Sequence, residues 1–211
     1  QNYRNTSEIA NVALCLRRKI LSVDHETEAV LPPARAIGAK PSLAYCANSN
    51  SVLDALQTAL ADPNIQTVCI AEPNRQRVKQ MRGFLEHNNL TPTGLRSESR
   101  RGLSVVNLPI YTPHGLIPAP SIVHPQPQKT VFVDTYHAMK GLEFDAVILD
   151  NLGESDFGGN ALLLGEETVN RNRKLLYVAM TRARHTLHLF ASETPTLLLS
   201  ELDPAMLKLL P

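Results

Sequence analysis

Asp134-Thr-Tyr-His-Ala-Met-Lys-Gly-Leu-Glu-Phe-Asp-Ala-Val-Ile-Leu149 decides how this chain is read. Thr130–Thr135 and Ala146–Asp150 are apolar, β-branched runs of strand character, and between them lies a polar turn holding His137, Lys140, Gly141 and Glu143. Further on, Arg173-Lys-Leu-Leu-Tyr-Val-Ala-Met-Thr-Arg-Ala-Arg184 reads as the end of a helix, Val169–Thr181, running into a strand, Thr186–Phe190. Upstream the same alternation recurs. Ser42–Ala47 and Gln66–Ala71 read as strands, and Val52–Leu60 and Asn74–His87 as the helices that follow them. Leu103–Leu108 is a further expected strand. At the start, Asn5 with Glu8 forms a capping-box pattern ahead of Ile9, Val12, Ala13, Leu16 and Ile20 at helical spacing. Strands alternating with helices predict an α/β fold with a mostly parallel sheet covered on both faces. Ligands in such sheets are expected beyond the carboxyl ends of the strands.

Length and composition fit one domain with an ample core: 211 residues, 43% hydrophobic and 19% charged. A net charge of +1 excludes a chain that grips nucleic acid by bulk electrostatics and leaves only local contacts. Cys15, Cys46 and Cys69 are odd in number, widely spaced and set among apolar or small residues. They predict small core hydrophobes and a reducing, cytoplasmic setting, not a disulfide framework or zinc site. No apolar run reaches membrane-spanning length. Leu108–Gln128 carries six prolines, at 109, 113, 118, 120, 125 and 127. That density predicts an extended surface excursion. With no initiator Met and no lead-in, the sequence reads as an excised piece.

Each polar candidate has a plain structural reading beside a functional one. Gly141 lets backbone approach a ligand without a Cβ in the way, and Glu143 is a carboxylate able to accept from a ribose hydroxyl. The same turn also reads as a glycine-capped loop with solvated charges. Leu175, Ala179 and Arg182 share a helical stripe, so Arg182 extends a buried face, where an arginine is costly unless paired. Its guanidinium suits a γ-phosphate, or equally the negative end of a helix. Spacing leaves the two open. Arg184 reads as a solvated or structural charge. Asn2-Tyr3-Arg4 places a ring that can stack a base beside a cation, with little specificity as a tripeptide. No Gly-x-x-x-x-Gly-Lys-Ser/Thr phosphate loop occurs anywhere.

Gln1-Asn-Tyr-Arg-Asn-Thr, Thr135-Tyr-His-Ala-Met-Lys-Gly-Leu-Glu-Phe and Leu175-Leu-Tyr-Val-Ala-Met-Thr-Arg-Ala-Arg resemble motifs IV, V and VI of superfamily 1 helicases of the UvrD/PcrA/Rep type. The resemblance implies one RecA-like second motor domain (domain 2A) over residues 1–211, a three-layer sandwich. It implies that Tyr3 stacks on adenine, that Arg4 and Arg182 reach the γ-phosphate, and that Glu143, beside Gly141, binds the ribose. His137 would touch the single-stranded DNA backbone, with Thr135 assisting. ATP is then the cofactor, with Mg²⁺ and the phosphate loop on the N-terminal motor domain of the same protein. Isolated, this chain is expected to show negligible ATPase activity, and the intact motor to move 3′ to 5′.

Departures from the family pattern accompany the match. The proline-rich excursion occupies the place of the helical 2B insertion, and Val169-Asn-Arg-Asn-Arg173 replaces the usual acidic lead-in to motif VI. Three rivals to a plain helicase follow: a helicase-nuclease, a helicase-like ATPase that strips RNA polymerase from DNA, and a degenerate motor serving as a protein-binding module. Intact Arg4, Gly141, Glu143 and Arg182 speak against the last.

Overall fold

The computed structural model describes residues 5–24, 37–92, 129–157 and 165–210. The elements are α1 (Ser7–Asp24), β1 (Ser42–Ala44), α2 (Ser49–Ala61), β2 (Thr67–Glu72), α3 (Arg75–His87), β3 (Thr130–Thr135), β4 (Phe144–Leu149), α4 (Glu166–Met180), β5 (Ala183–Phe190) and β6 (Lys208–Leu209). The strands form one sheet in the order β3-β2-β4-β5-β1-β6, and every pair is parallel. This is the α/β architecture the alternation predicts.

Strand periodicity sorts the core into two layers. Val68 and Ile70 of β2 and Ala146 and Ile148 of β4 face α2 and α3, where they meet Val52, Leu56, Met81 and Leu85. Cys69, Ala71, Val147 and Leu149 face the other way, onto Ile9, Val12 and Leu16 of α1 and Leu176, Ala179 and Met180 of α4. Both faces are covered, which is why these strands read as continuous apolar runs. Among the described residues no helix is long and apolar enough to cross a membrane.

Helix starts follow their side-chain chemistry. Asn48 caps α2, accepting from the Asn50 and Ser51 amides, and Asn74 caps α3 through the Arg77 amide. The first helix differs from expectation. Asn5 does not cap it; the Thr6 carbonyl takes the Ala10 amide instead, and Glu8 accepts from Ser7 Oγ and the Gly38 amide. Asn5 is buried and otherwise employed, as described below. β1 also stops short of Ala47, because Tyr45 and Cys46 turn out to solvent and Cys46 adopts φ 54°. Cys69 is the core hydrophobe expected, and exposed Cys46 is not. The expected strand at 103–108 and the proline-rich excursion lie outside the described residues.

Candidate functional site: the amino-terminal rim of β4 and β5

The link from β3 to β4 carries the first motif across the sheet from end to end. A 3₁₀ turn, Tyr136–Met139, leaves the carboxyl end of β3 with Tyr136 and Met139 buried as anchors. Gly141 then adopts φ 82°, and Leu142 and Glu143 enter the amino end of β4. A side chain at Gly141 would meet open space, so glycine is required there by the backbone, not by crowding. The second motif arrives at the same rim. Helix α4 ends at Met180, Thr181 is its C-cap, and β5 begins at Ala183.

Arg182 therefore lies past the helix, not on its buried stripe. Its guanidinium folds back, donating Nε–H to the Val178 carbonyl at 3.0 Å. Nη1 reaches the Leu142 carbonyl at 3.2 Å, and Nη2 reaches Thr181 Oγ1 at 3.4 Å. It thus complements the end of α4, as the helix-end reading expects, and it also touches the glycine turn. Arg184 is not simply solvated. It holds Glu143 through Nε and Nη2, both 3.2 Å from Oε2, and lies 3.8 Å from Asp145. Glu143 retains only 16% exposure of its side chain. Asp145, which sequence reasoning passed over, accepts from the Gln66 and Thr67 amides and the Thr67 hydroxyl, so it staples β4 to β2.

Glu143 and Arg182 thus meet at the amino ends of β4 and β5, whereas ligands of such sheets are expected beyond the carboxyl ends. Thr135 and His137 stand at a carboxyl end: Thr135 ends β3, and His137 is exposed on the turn after it. Tyr3 and Arg4 lie outside the described residues. The replaced lead-in to motif VI, which lies inside α4, makes its own ion pair. Arg173 forks onto Glu201, with contacts from 2.6 to 2.9 Å, and both side chains are largely buried.

At the opposite, carboxyl end of β2 and β4 sits a second polar group. Glu72 and Asp150 are buried carboxylates that share one donor, the Asn151 amide nitrogen, at 3.0 Å from each. Burial first, and Asp150 second, pushes the Glu72 carboxyl up to about 9, with Arg77 opposing; burial also raises Asp150. Tyr136 donates its hydroxyl to the Asp150 carbonyl and stacks on Phe157 at 5.7 Å. A cavity of about 270 Å³ opens over the pair, lined by Asn48, Ser49 and Arg77 among others. The larger hollow, about 450 Å³ against α2, contains none of the motif residues. Its polar feature is Ser42 Oγ at 2.6 Å from His188 Nδ1, with His188 pushed down to about 4 by burial, then by Lys208. We weight the rim over the hollow because residues from two distant motifs converge on it.

Comparison with known proteins finds relatives of one kind. Residues 121–194 match the UvrD-like helicase C-terminal domain. Over 63 residues, 30% of this chain, the sequence is 41% identical to the ATP-dependent DNA helicase PcrA of Bacillus subtilis (strain 168). The match spans 8% of that protein's length. The C-terminal domain of a possible DNA helicase from Lactobacillus plantarum WCFS1 superposes with a TM-score of 0.62, covering 98% of each chain at 20% identity, which extends the likeness of fold over nearly the whole chain. The stretch that holds both motifs is thus similar to the UvrD-like helicase C-terminal domain.

Proposed function

We propose that this chain is the C-terminal motor domain of an ATP-dependent DNA helicase or translocase, and that its β4–β5 rim completes a nucleotide site shared with a first motor domain. The observation that carries the reading is the contact from Arg182 Nη1 to the Leu142 carbonyl, which brings a motif VI arginine onto the motif V glycine turn.

The donor set of the rim fits one edge of ATP. A half-buried guanidinium, a carboxylate and a left-handed glycine with open space beside it suit phosphate oxygens, a ribose hydroxyl and close backbone approach. Arg182, with Arg4, would hold the γ-phosphate; Glu143 would accept from the ribose, beside Gly141, and Tyr3 would stack on the adenine. When bound, ATP supplies the phosphoryl group, and Mg²⁺, held by the first motor domain, neutralises its charge. The present chain, which has no phosphate loop, contributes positioning and countercharge. Arg182 is built for exchange. Its Nε–H would stay on the Val178 carbonyl while Nη1 and Nη2, now in the two longer bonds to Leu142 and Thr181, would turn to phosphate oxygens. His137 and Thr135 stand at the carboxyl end of β3 and would touch single-stranded DNA there. DNA and nucleotide are then read at opposite ends of one rigid sheet, joined by the short 136–143 link.

DNA-stimulated ATPase and strand separation by the intact protein, wild type beside Arg182→Ala, test the reading. Turnover lost by a folded Arg182→Ala protein is the expected result. Hydrolysis by the wild type without strand separation would favour translocation alone, and an Arg182→Ala protein with full turnover would overturn the assignment.

A further inference from the structure

The turn that carries Arg182 is held at every carbonyl. The Thr181 carbonyl accepts from Asn5 Nδ2 at 3.0 Å, and the Arg182 carbonyl from the Phe144 amide at 2.9 Å. The Ala183 carbonyl accepts from Asn5 Nδ2 again, and the Arg184 carbonyl from the Thr6 amide at 3.1 Å. Three of these four bonds come from residues 5 and 6, far away in sequence. One side-chain amide straddles Arg182, binding the peptide groups on either side of it.

Asn5 is 4% exposed and Thr6 5% exposed, so neither group is available to solvent. The Thr6 side chain fills the space beside Gly38, where a Cβ would approach its Cγ2 to 2.4 Å, and the Gly38 amide is tied to Glu8. Asn5 Oδ1 is buried with no partner. An unsatisfied buried oxygen is a cost that simple packing would avoid with an apolar residue. Only the amide's donors are used, and both point at the turn.

We propose that Asn5 is a positioning residue for Arg182: its amide fixes the 181–183 backbone so that the guanidinium is presented at the rim. This rests on Arg182 acting on the nucleotide, as above.

The test is steady-state ATPase of the intact, DNA-bound protein. Asn5→Asp keeps the shape, removes both donors and sets a carboxylate against two carbonyls. It is expected to lower kcat roughly 10- to 100-fold, the size of a small misplacement, with KM for ATP nearly unchanged. Asn5→Ser keeps one donor and recovers part of the loss. Val52→Ala, a cavity on the opposite face of the sheet, controls for stability and leaves kcat near wild type. Should Asn5→Asp fail to fold, Asn5→Ala removes the donors without adding charge. A folded Asn5→Asp or Asn5→Ala protein with wild-type kcat would overturn the proposal. So would an equal loss of kcat in Val52→Ala, which would make the effect one of stability. The two ideas fail separately: an active Arg182→Ala protein sinks the reading of Arg182, whereas an inactive one beside active Asn5 variants sinks only the role of Asn5.

Discussion

The two ends of the sheet treat charge in opposite ways. At the amino-terminal rim of β4 and β5, Arg182 and Arg184 face carbonyls, Glu143 and Asp145, so unlike charges meet in partly exposed positions. At the carboxyl end of β2 and β4, Glu72 and Asp150 are like charges, buried around one shared donor. The first arrangement can trade one partner for another. The second cannot ionise fully without repulsion, so it takes up a proton. The difference separates a rim suited to a charged ligand from an end whose charge state is linked to folding.

Arg182→Ala should break this comparison most sharply. An arginine acting on a transferring phosphoryl group is worth roughly 10³–10⁵ in rate, or about 4–7 kcal/mol of transition-state stabilisation. The intact protein should lose turnover by that order, while the fold keeps its circular dichroism and thermal midpoint. An unchanged rate would leave Arg182 as a helix-end cation only.

Glu72→Gln probes the other end. With its pKa raised from 4.5 to about 9, Glu72 binds a proton in the folded state that the unfolded chain has released, so stability falls as pH rises between those values. The slope is steepest at about 1 kcal/mol per pH unit. Arg77 of α3 opposes the shift of Glu72, while Asp150 presses in the same direction as burial. Glutamine mimics the protonated acid, so Glu72→Gln should flatten urea-denaturation stability between pH 5 and 9, and gain most at the alkaline end. An undiminished slope in the variant would place the proton elsewhere.

Sequence revealed the layers better than the sites. Strand Thr130–Thr135 is local in origin: a β-branched run acts within a few residues. The rim was half legible. Gly141 announces a turn because few other residues tolerate its φ, but the partner of Glu143 is Arg184, and nothing in the spacing of 143 and 184 names that pairing. The Glu72–Asn151 contact crosses 79 residues, and the Asn5–Thr181 contact 176. Asn5 also misled, since its local role as a cap was outcompeted by carbonyls that only the folded sheet brings near. Pairings made by the parallel crossover have no local signature.

Gly141→Ala asks whether the glycine serves the backbone or the ligand. A left-handed residue with a Cβ costs about 1–2 kcal/mol, and nothing else near Gly141 would clash. A loss of that size in denaturant unfolding, with unchanged KM for ATP in the intact protein, would make the turn purely structural. A loss accompanied by a raised KM would support close approach of a nucleotide to this backbone.

The smallest expected effect belongs to Arg184. Its side chain is 48% exposed, and its bonds to Glu143 are long at 3.2 Å, so solvent screening should hold the pair below about 1 kcal/mol of stability. The informative readout is therefore kinetic. If Glu143 must leave Arg184 to meet a ribose hydroxyl, Arg184→Gln removes a competitor, and KM for ATP should fall roughly two- to fivefold, the size of a surface pair, at constant kcat. A rise in KM would instead mean that Arg184 holds the carboxylate in place for the nucleotide. A fall in kcat would set Arg184 beside Arg182 in countering charge on the phosphate. Each outcome divides the two arginines differently: only the first keeps one for the reacting phosphate and leaves the other as the guard of the ribose carboxylate.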